Sequence, residues 1–519
     1  MRLQRSWLCL LLLIIPAISC RDDNISEELP GLRSVTIEEE KVIMEPGGSA
    51  GFHFRVKDPQ FRFSGPQDLV LSPVSAGSLI RISDVHPDAE EGRYVAELQD
   101  IGSEKFSIKT RLGVRTAPGS DALVLSGEFI VSNSAAVPEE STTGLPIVHI
   151  NTANGAAIKS KTVWVPATMR IGGEEYACSI RGRGNSTWEW PKKPYTVRLD
   201  KRASVMGMPA HKRWILLANF MDRTLMRNIV AMKVASLTSL AWTPSCVSVE
   251  LMLNGRHVGN YLLIEQVRVD ENRVNIDETD GVLLELDFHG DEDIQWVDYH
   301  GRCWQRWDGI PFAIKHPDSD EITPERVRQI KDYVSEVASV LYSDGFADPV
   351  GGYPKYLDVE SFIDYWIVFE VMGNHELGNP GSVFMHKDKG GKLTAGPCWD
   401  FDWGVLSYKT SPQARTGLIN GESIWYARLM KDPVFRSALK ARFLELLPAL
   451  QQIPAFMEET EQMLSRSADL NFSMWDPSQD ASLNGWDIIN GDEKLSFHQA
   501  CERLRDIFEE RLTVIGNNL

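Results

Sequence analysis

A chain of 519 residues, 43% hydrophobic and 24% charged, has room for two or three globular domains with full cores. Its formal net charge of −18 argues against a nucleic-acid ligand, whose phosphates need a basic face. Setting aside Cys9 and Cys20, the five remaining cysteines are widely spaced, and no C-x-x-C or zinc-type cluster occurs, which argues against a disulfide framework or a structural zinc site.

In chain order, the first signal is one of address. Met1-Arg-Leu-Gln-Arg5 is basic, residues 8–15 are almost entirely apolar, and Ala17-Ile-Ser19 brings small residues up to Cys20. The pattern is that of a secretory signal, too short to span a bilayer as a stable helix. A cysteine at the cleavage point resembles a bacterial lipobox, in which Cys20 becomes the lipidated first residue, with Ala17 standing where Leu is usual. Arg21-Asp-Asp23 is similar to the acidic export signal of Bacteroidetes surface lipoproteins. Residues 1–19 are therefore expected to be a lipoprotein signal peptide and 20–32 a tether. The mature chain would be an outer-membrane lipoprotein of the cell envelope, touching the membrane only through its lipid anchor.

Residues 33–131 alternate in short runs such as Gly51-Phe-His-Phe-Arg-Val56 and Glu128-Phe-Ile-Val131, broken by Gly, Pro, Asn and Asp. Regular short strands without a helical period predict an all-β, Ig-like sandwich, a spacer or binding module. Residues 132–145 are small, polar and unpatterned, as in a linker. From 146 to 519 strands come first, at 147–150, 161–165, 195–199, 247–253 and 261–265, with a helix at 225–237 and an Asn254-Gly255 turn. Helical periodicity then predicts helices at 327–341, 359–372, 426–450, 455–466 and 497–515. Strands followed by helices describe an α+β domain of two lobes, one β-rich and one helical.

Three segments carry chemistry. The first is Gly396-Pro-Cys-Trp-Asp-Phe-Asp-Trp403. Read as a strand, it places Trp399, Phe401 and Trp403 on one face and Asp400 and Asp402 together on the other. Two adjacent carboxylates are best tolerated with a cation between them, and hard oxygen ligands suit magnesium, manganese or calcium. The second is Arg181-Gly-Arg-Gly-Asn-Ser-Thr-Trp188 with Lys192-Lys-Pro-Tyr195, where glycines let backbone N–H groups approach an anion and Arg and Lys match phosphate. The third is Asn374-His-Glu-Leu-Gly-Asn379-Pro-Gly-Ser382, which supplies a carboxylate, amides and a hydroxyl just upstream of the aspartates.

In this order the segments resemble the spore coat protein H (CotH) kinase-like family over roughly residues 146–519. The likeness includes Leu145-Pro-Ile-Val-His-Ile150, Lys212-Arg-Trp-Ile-Leu-Leu-Ala-Asn219, Gly259-Asn-Tyr-Leu-Leu-Ile-Glu265 and Gly281-Val-Leu-Leu-Glu-Leu-Asp287. It implies an atypical protein-kinase fold that transfers phosphate from ATP to Ser or Thr of an envelope or surface protein, with Mg2+ or Mn2+. The resemblance assigns Asp400, with Asp402 and Asn379, to the metal. Lys193, or its neighbour Lys192, is assigned to the phosphates with Arg181 and Arg183 in support, while Glu265 and Glu285 pair with the lysine or line the pocket. Where the family places a catalytic Asp this chain has Glu376, and the metal-binding Asn expected downstream corresponds to Asn379 or Ser382. A Glu moves the carboxylate by about an ångström relative to Asp, enough to cost roughly 100-fold in rate. The alternative implied is a pseudokinase acting as a surface binding or adhesion protein, for which the 15 tryptophans offer contact rings. Glycoside hydrolysis by Glu376 and Asp400 has the residue types but opposes the family resemblance.

Overall fold

The computed structural model describes residues 34–39, 41–44, 47–58, 61–72, 79–101, 107–116, 122–133, 142–289, 293–301, 303, 309–476, 490–492 and 494–519. The signal peptide, Cys20, the tether and most of the 132–145 linker lie outside them. No described helix is long and apolar enough to cross a membrane.

The chain is α+β. Its first strands are β1 (Val35–Ile37), β2 (Lys41–Ile43), β3 (Ser49–Val56), β4 (Leu69–Ser72), β5 (Ile80–Pro87), β6 (Arg93–Asp100), β7 (Ser107–Arg115) and β8 (Leu123–Ser132). They form two four-stranded sheets, β1-β3-β6-β5 and β2-β8-β7-β4. Alternate residues of both sheets, among them Phe52, Phe54, Leu98, Leu112 and Phe129, enclose one core.

Seven strands then close into a barrel in the order β10-β11-β12-β13-β15-β14-β9. They are β9 (Ile147–Thr152), β10 (Val165–Ile171), β11 (Glu174–Gly182), β12 (Tyr195–Val205), β13 (Met208–Leu217), β14 (Cys246–Leu253) and β15 (Arg256–Glu265), with α1 (Arg227–Ala235) after β13. Closure comes from β9 pairing parallel to β14, Leu251 opposite Val148. Trp214 and Leu216 of β13 fill the barrel, whereas Ile215 and Leu217 between them belong to the core outside it. A strand buried on both faces reads as the continuous apolar run Trp214-Ile-Leu-Leu217. Residues 161–164, expected to be strand, are not; β10 starts at Val165. Leu145 is buried in the larger core, so the polar run expected to be linker is already part of the packed structure by that residue.

A second, five-stranded sheet, β17-β18-β16-β19-β20, comprises β16 (Val282–Leu286), β17 (Gln295–Asp298), β18 (Ile310–His316), β19 (Val383–Lys387) and β20 (Leu393–Ala395). It packs with α2 (Pro324–Leu341), α3 (Val359–Val371), α4 (Tyr426–Leu429), α5 (Pro433–Leu450), α6 (Ile453–Met474) and α7 (Phe497–Asn518). The single helix expected over 426–450 is two, because Asp432 caps α5 through the backbone N–H of Val434 and Pro433 occupies its first turn.

Candidate active site

A cavity of about 650 Å³ lies where the barrel meets the second sheet and its loops, within the usual size of a small-molecule site. Its barrel side is Ile215 and Leu217 of β13, the loop from Arg183 to Pro194, and Gln266 and Val267 after β15. The opposite side is Glu285 of β16, Asp287, His289, Lys315 of β18 and two loops, around 375–382 and 399–403.

The first loop follows α3, whose residues from Ser361 onward are buried on every side, as an all-round apolar helix must be. Gly373, at φ +60°, ends it in the left-handed region. Asn374 then accepts the Glu376 backbone N–H at 2.9 Å, a local turn that aims Glu376 into the cavity. The Asn374 carbonyl is held in turn by the Asn420 side chain at 2.9 Å.

The second loop corrects an expectation. Residues 396–402 are not a strand, and Asp400 has φ +65°. Only Phe401 points away, buried against Phe369 at 4.8 Å between ring centres, while Trp399 and Trp403 line the cavity beside Asp400 and Asp402. The left-handed residue breaks the two-residue alternation yet still leaves both carboxylates on one wall. The loop is fixed by Asn228 of α1, which accepts the Phe401 N–H at 2.7 Å, and by Asn490, which bonds Gly404 N and the Asp402 carbonyl.

Burial raises the pKa of Asp400, Asp402 and Glu376 together. Asp402 is pushed up to about 8 by burial and then by Asp400. Glu376 rises well above the ordinary range through burial and both aspartates. Asp400 is raised less freely, since Arg183, His289 and a hydrogen bond from Ser382 favour its charged form. Arg183 lies over the Trp399 ring at 5.8 Å; burial depresses its pKa, and Asp400, Asp402 and Glu285 oppose that. Four acceptor oxygens of cavity-lining residues, on Asn219, Gln266, Glu376 and Asn379, are buried without a hydrogen-bond partner among the described residues.

Of the residues read from sequence, the fold brings Arg183, Glu285, Glu376, Asn379, Ser382, Asp400 and Asp402 to this cavity. Four others are elsewhere. Lys193 donates to the Trp188 carbonyl at 2.6 Å and stacks on that ring. Lys192 is buried, donating to the carbonyls of Ala218 and Asn260 and to Asn471, and burial lowers its pKa to about 7. Glu265 is buried in an ion pair with Arg273. Arg181 stacks on Trp164 outside the cavity. Of the glycines in the Arg181-Gly-Arg-Gly run, Gly182 serves packing, since a Cβ there would collide with the Trp188 ring, whereas Gly184, at φ +86°, takes the left-handed turn that lines the cavity. The lysine that does reach the cavity is Lys315, paired with Glu285 at 3.0 Å. Sequence reading missed it, along with Asp287, His289, Asn219 and Gln266; the available signal was that each ends an apolar strand or lies within a few residues of its end.

A family model described as CotH kinase protein matches residues 180–515, well over half of the chain. The chain belongs to the CotH kinase family. The matched segment of this CotH kinase family member contains every cavity-lining residue. No curated relative matches it in sequence. Among solved structures it is similar to one titled "Structure of surface layer protein SbsC, domains 4-9", at 13% identity over 35% of this chain and 30% of that one, with a TM-score of 0.14.

Proposed function

We propose that the cavity binds ATP with Mg2+ or Mn2+ between two kinase-like lobes, the barrel and the second sheet with its helices, and transfers phosphate to a Ser or Thr hydroxyl of an envelope or surface protein. The observation that carries this reading is the buried convergence of Glu376, Asp400 and Asp402 opposite Arg183. Carboxylates that raise one another's pKa in a buried wall call for a cation. The donor set fits a hard one: two aspartates and the partnerless oxygen of Asn379. Among the described residues no group of three His, Cys, Asp or Glu side chains is placed to hold a metal ion, so the remaining ligands would have to be phosphate oxygens and water. When bound, such an ion neutralises charge on the transferred group.

The chain's own groups then take defined roles. Asp400, Asp402 and Asn379 would hold the metal, and Arg183 and Lys315 would contact phosphates, with Glu285 orienting Lys315. Glu376 accepts the acceptor hydroxyl's proton as that oxygen bonds to the γ-phosphorus and the bond to the leaving diphosphate breaks. With a cation held on Asp400 and Asp402, their repulsion of Glu376 would fall, which would favour the ionised form a base requires.

Equilibrium ATP binding to the intact protein tests this. Binding is expected with Mg2+ or Mn2+, and Asp400→Asn should remove its metal dependence. Glu376→Gln should bind within about twofold of wild type yet transfer nothing, because a base acts on the acceptor and not on ATP. No binding with any divalent metal would end the kinase reading and leave a surface binding protein. Binding without transfer, with transfer restored by Glu376→Asp, would identify a pseudokinase, the reading favoured by the longer side chain at the base position.

A further inference from the structure

The outer face of the barrel carries a charge arrangement that the cavity does not use. Arg181 of β11, Arg198 of β12 and Arg213 of β13 all stack on one ring, Trp164, at 4.6, 4.5 and 5.1 Å. Their neighbours Ile180, Val197, Leu199 and Trp214 fill the barrel interior, so strand alternation turns the three arginines outward. Arg198 stands directly opposite Arg213 in the antiparallel register, and like charges at such a position are destabilising. Arg268 adds a fourth charge that presses on Arg181 and Arg213. Its partner Asp318, at 3.1 Å, is the one carboxylate paired with the group among the described residues. Arg181, Arg198 and Arg213 have no ion-pair partner among the described residues, and the Arg181 Nε is buried without an acceptor. Asp318 also acts on Arg213 from beyond ion-pair distance, so one carboxylate faces four guanidiniums, and in a chain of net charge −18 that local excess of positive charge suits an anion from outside.

We propose that Arg181, Arg198 and Arg213 around Trp164 form a second oxyanion site, separate from the cavity, that takes a phosphate group. Guanidinium forks match phosphate oxygens bidentately, and Trp164 holds the forks in place so that little side-chain freedom is lost on binding. The site borders the cavity: Arg213 shares a strand face with cavity-lining Ile215, and Arg181 precedes Arg183 by two residues, about 7 Å along an extended strand. It stands on charge and geometry, whatever chemistry the cavity performs. The phosphate could be inorganic or a monoester on another molecule, so the probes are inorganic phosphate and O-phosphoserine.

The experiment is calorimetric titration of the intact protein with each probe in metal-free, low-salt buffer. Wild type should bind at least one of them, the tighter probe naming the source. Arg198→Gln and Arg213→Gln should each weaken binding tenfold or more, whereas Lys212→Gln, an exposed cation on the same strand as Arg213, should leave it within twofold. In anion-free buffer Arg198→Gln should melt higher than wild type, because it removes the opposed charges, and should lose the rise in melting temperature that phosphate gives wild type. Arg181→Lys, which keeps the charge but not the fork, should weaken binding less than Arg198→Gln. Absence of millimolar binding by wild type, unchanged binding in Arg198→Gln and Arg213→Gln, or an equal loss in Lys212→Gln would overturn the proposal and leave the cluster a cation–π stack.

Discussion

Asp402 supplies one component of the metal-free protein's response to pH. Its folded pKa of about 8 lies above the ordinary value near 4. Between those two pH values the folded state holds a proton that the unfolded state has released. This group's contribution to stability therefore falls as pH rises through that window, by roughly 1 kcal/mol for each pH unit crossed. Without divalent metal, Asp402→Asn should gain melting temperature relative to wild type progressively from pH 5 to pH 8, making the slope against pH less negative. Mg2+ should flatten it too if the carboxylates hold the ion; an unchanged slope in Asp402→Asn would show that another group titrates. Lys315 is the second residue with a sharp expectation. Lys315→Met should weaken metal-dependent ATP binding about tenfold while Lys193→Met leaves it within twofold, because only Lys315 reaches the cavity. The reverse order would return the phosphate-contacting role to Lys193.

Among the elements, α3 and α7 are joined by an ion pair that exposes neither partner, Glu370 to Arg511 at 2.6 Å. Glu370 also accepts the backbone N–H groups of Ile419 and Asn420, and Asn420 holds the carbonyl of Asn374. The loop bearing Glu376 is thus tied to the last helix through consecutive polar contacts. Arg511→Met should cost about 3–5 kcal/mol, since it leaves a buried carboxylate unpaired, and adding Glu370→Gln should recover part of that loss. No change in denaturant midpoint for Arg511→Met would show the pair to be dispensable. Elements also separate what local sequence reveals from what it hides. The aspartates, Glu376, Asn379 and Arg183 stand out because chemistry-bearing types cluster within a few residues. Lys315 pairs with Glu285 from a different strand, and only the register of β16 against β18, Glu285 opposite Ala313, brings them together. The helices at 327–341, 359–372 and 497–515 follow from their periodicity, whereas the break at Asp432 required its capping signals to outweigh that period. The alternation of acids and aromatics at 399–403 suggested a strand, but a single left-handed residue produces a similar presentation from a loop.

For the whole molecule, residues 33–131 have a core of their own, and we infer that they form an independent module joined to the kinase-like part through the polar run before Leu145. Limited proteolysis should cut first near 132–145, leaving two resistant fragments, and one uncut species would argue against it. We also infer attachment through Cys20, so that Cys20→Ser should release the protein from membranes; retention of the variant there would refute the anchor. The cavity itself supplies a reporter for such work. Trp190, on the barrel side, and Trp403, on the loop beside Asp402, lie parallel within 10° at 6.2 Å between ring centres, and both face the cavity. Indoles so disposed share their excited state, and a ligand that parts them changes the emission. Occupancy of the cavity should therefore register as a change in tryptophan fluorescence with no label attached, and Trp403→Phe should remove that change.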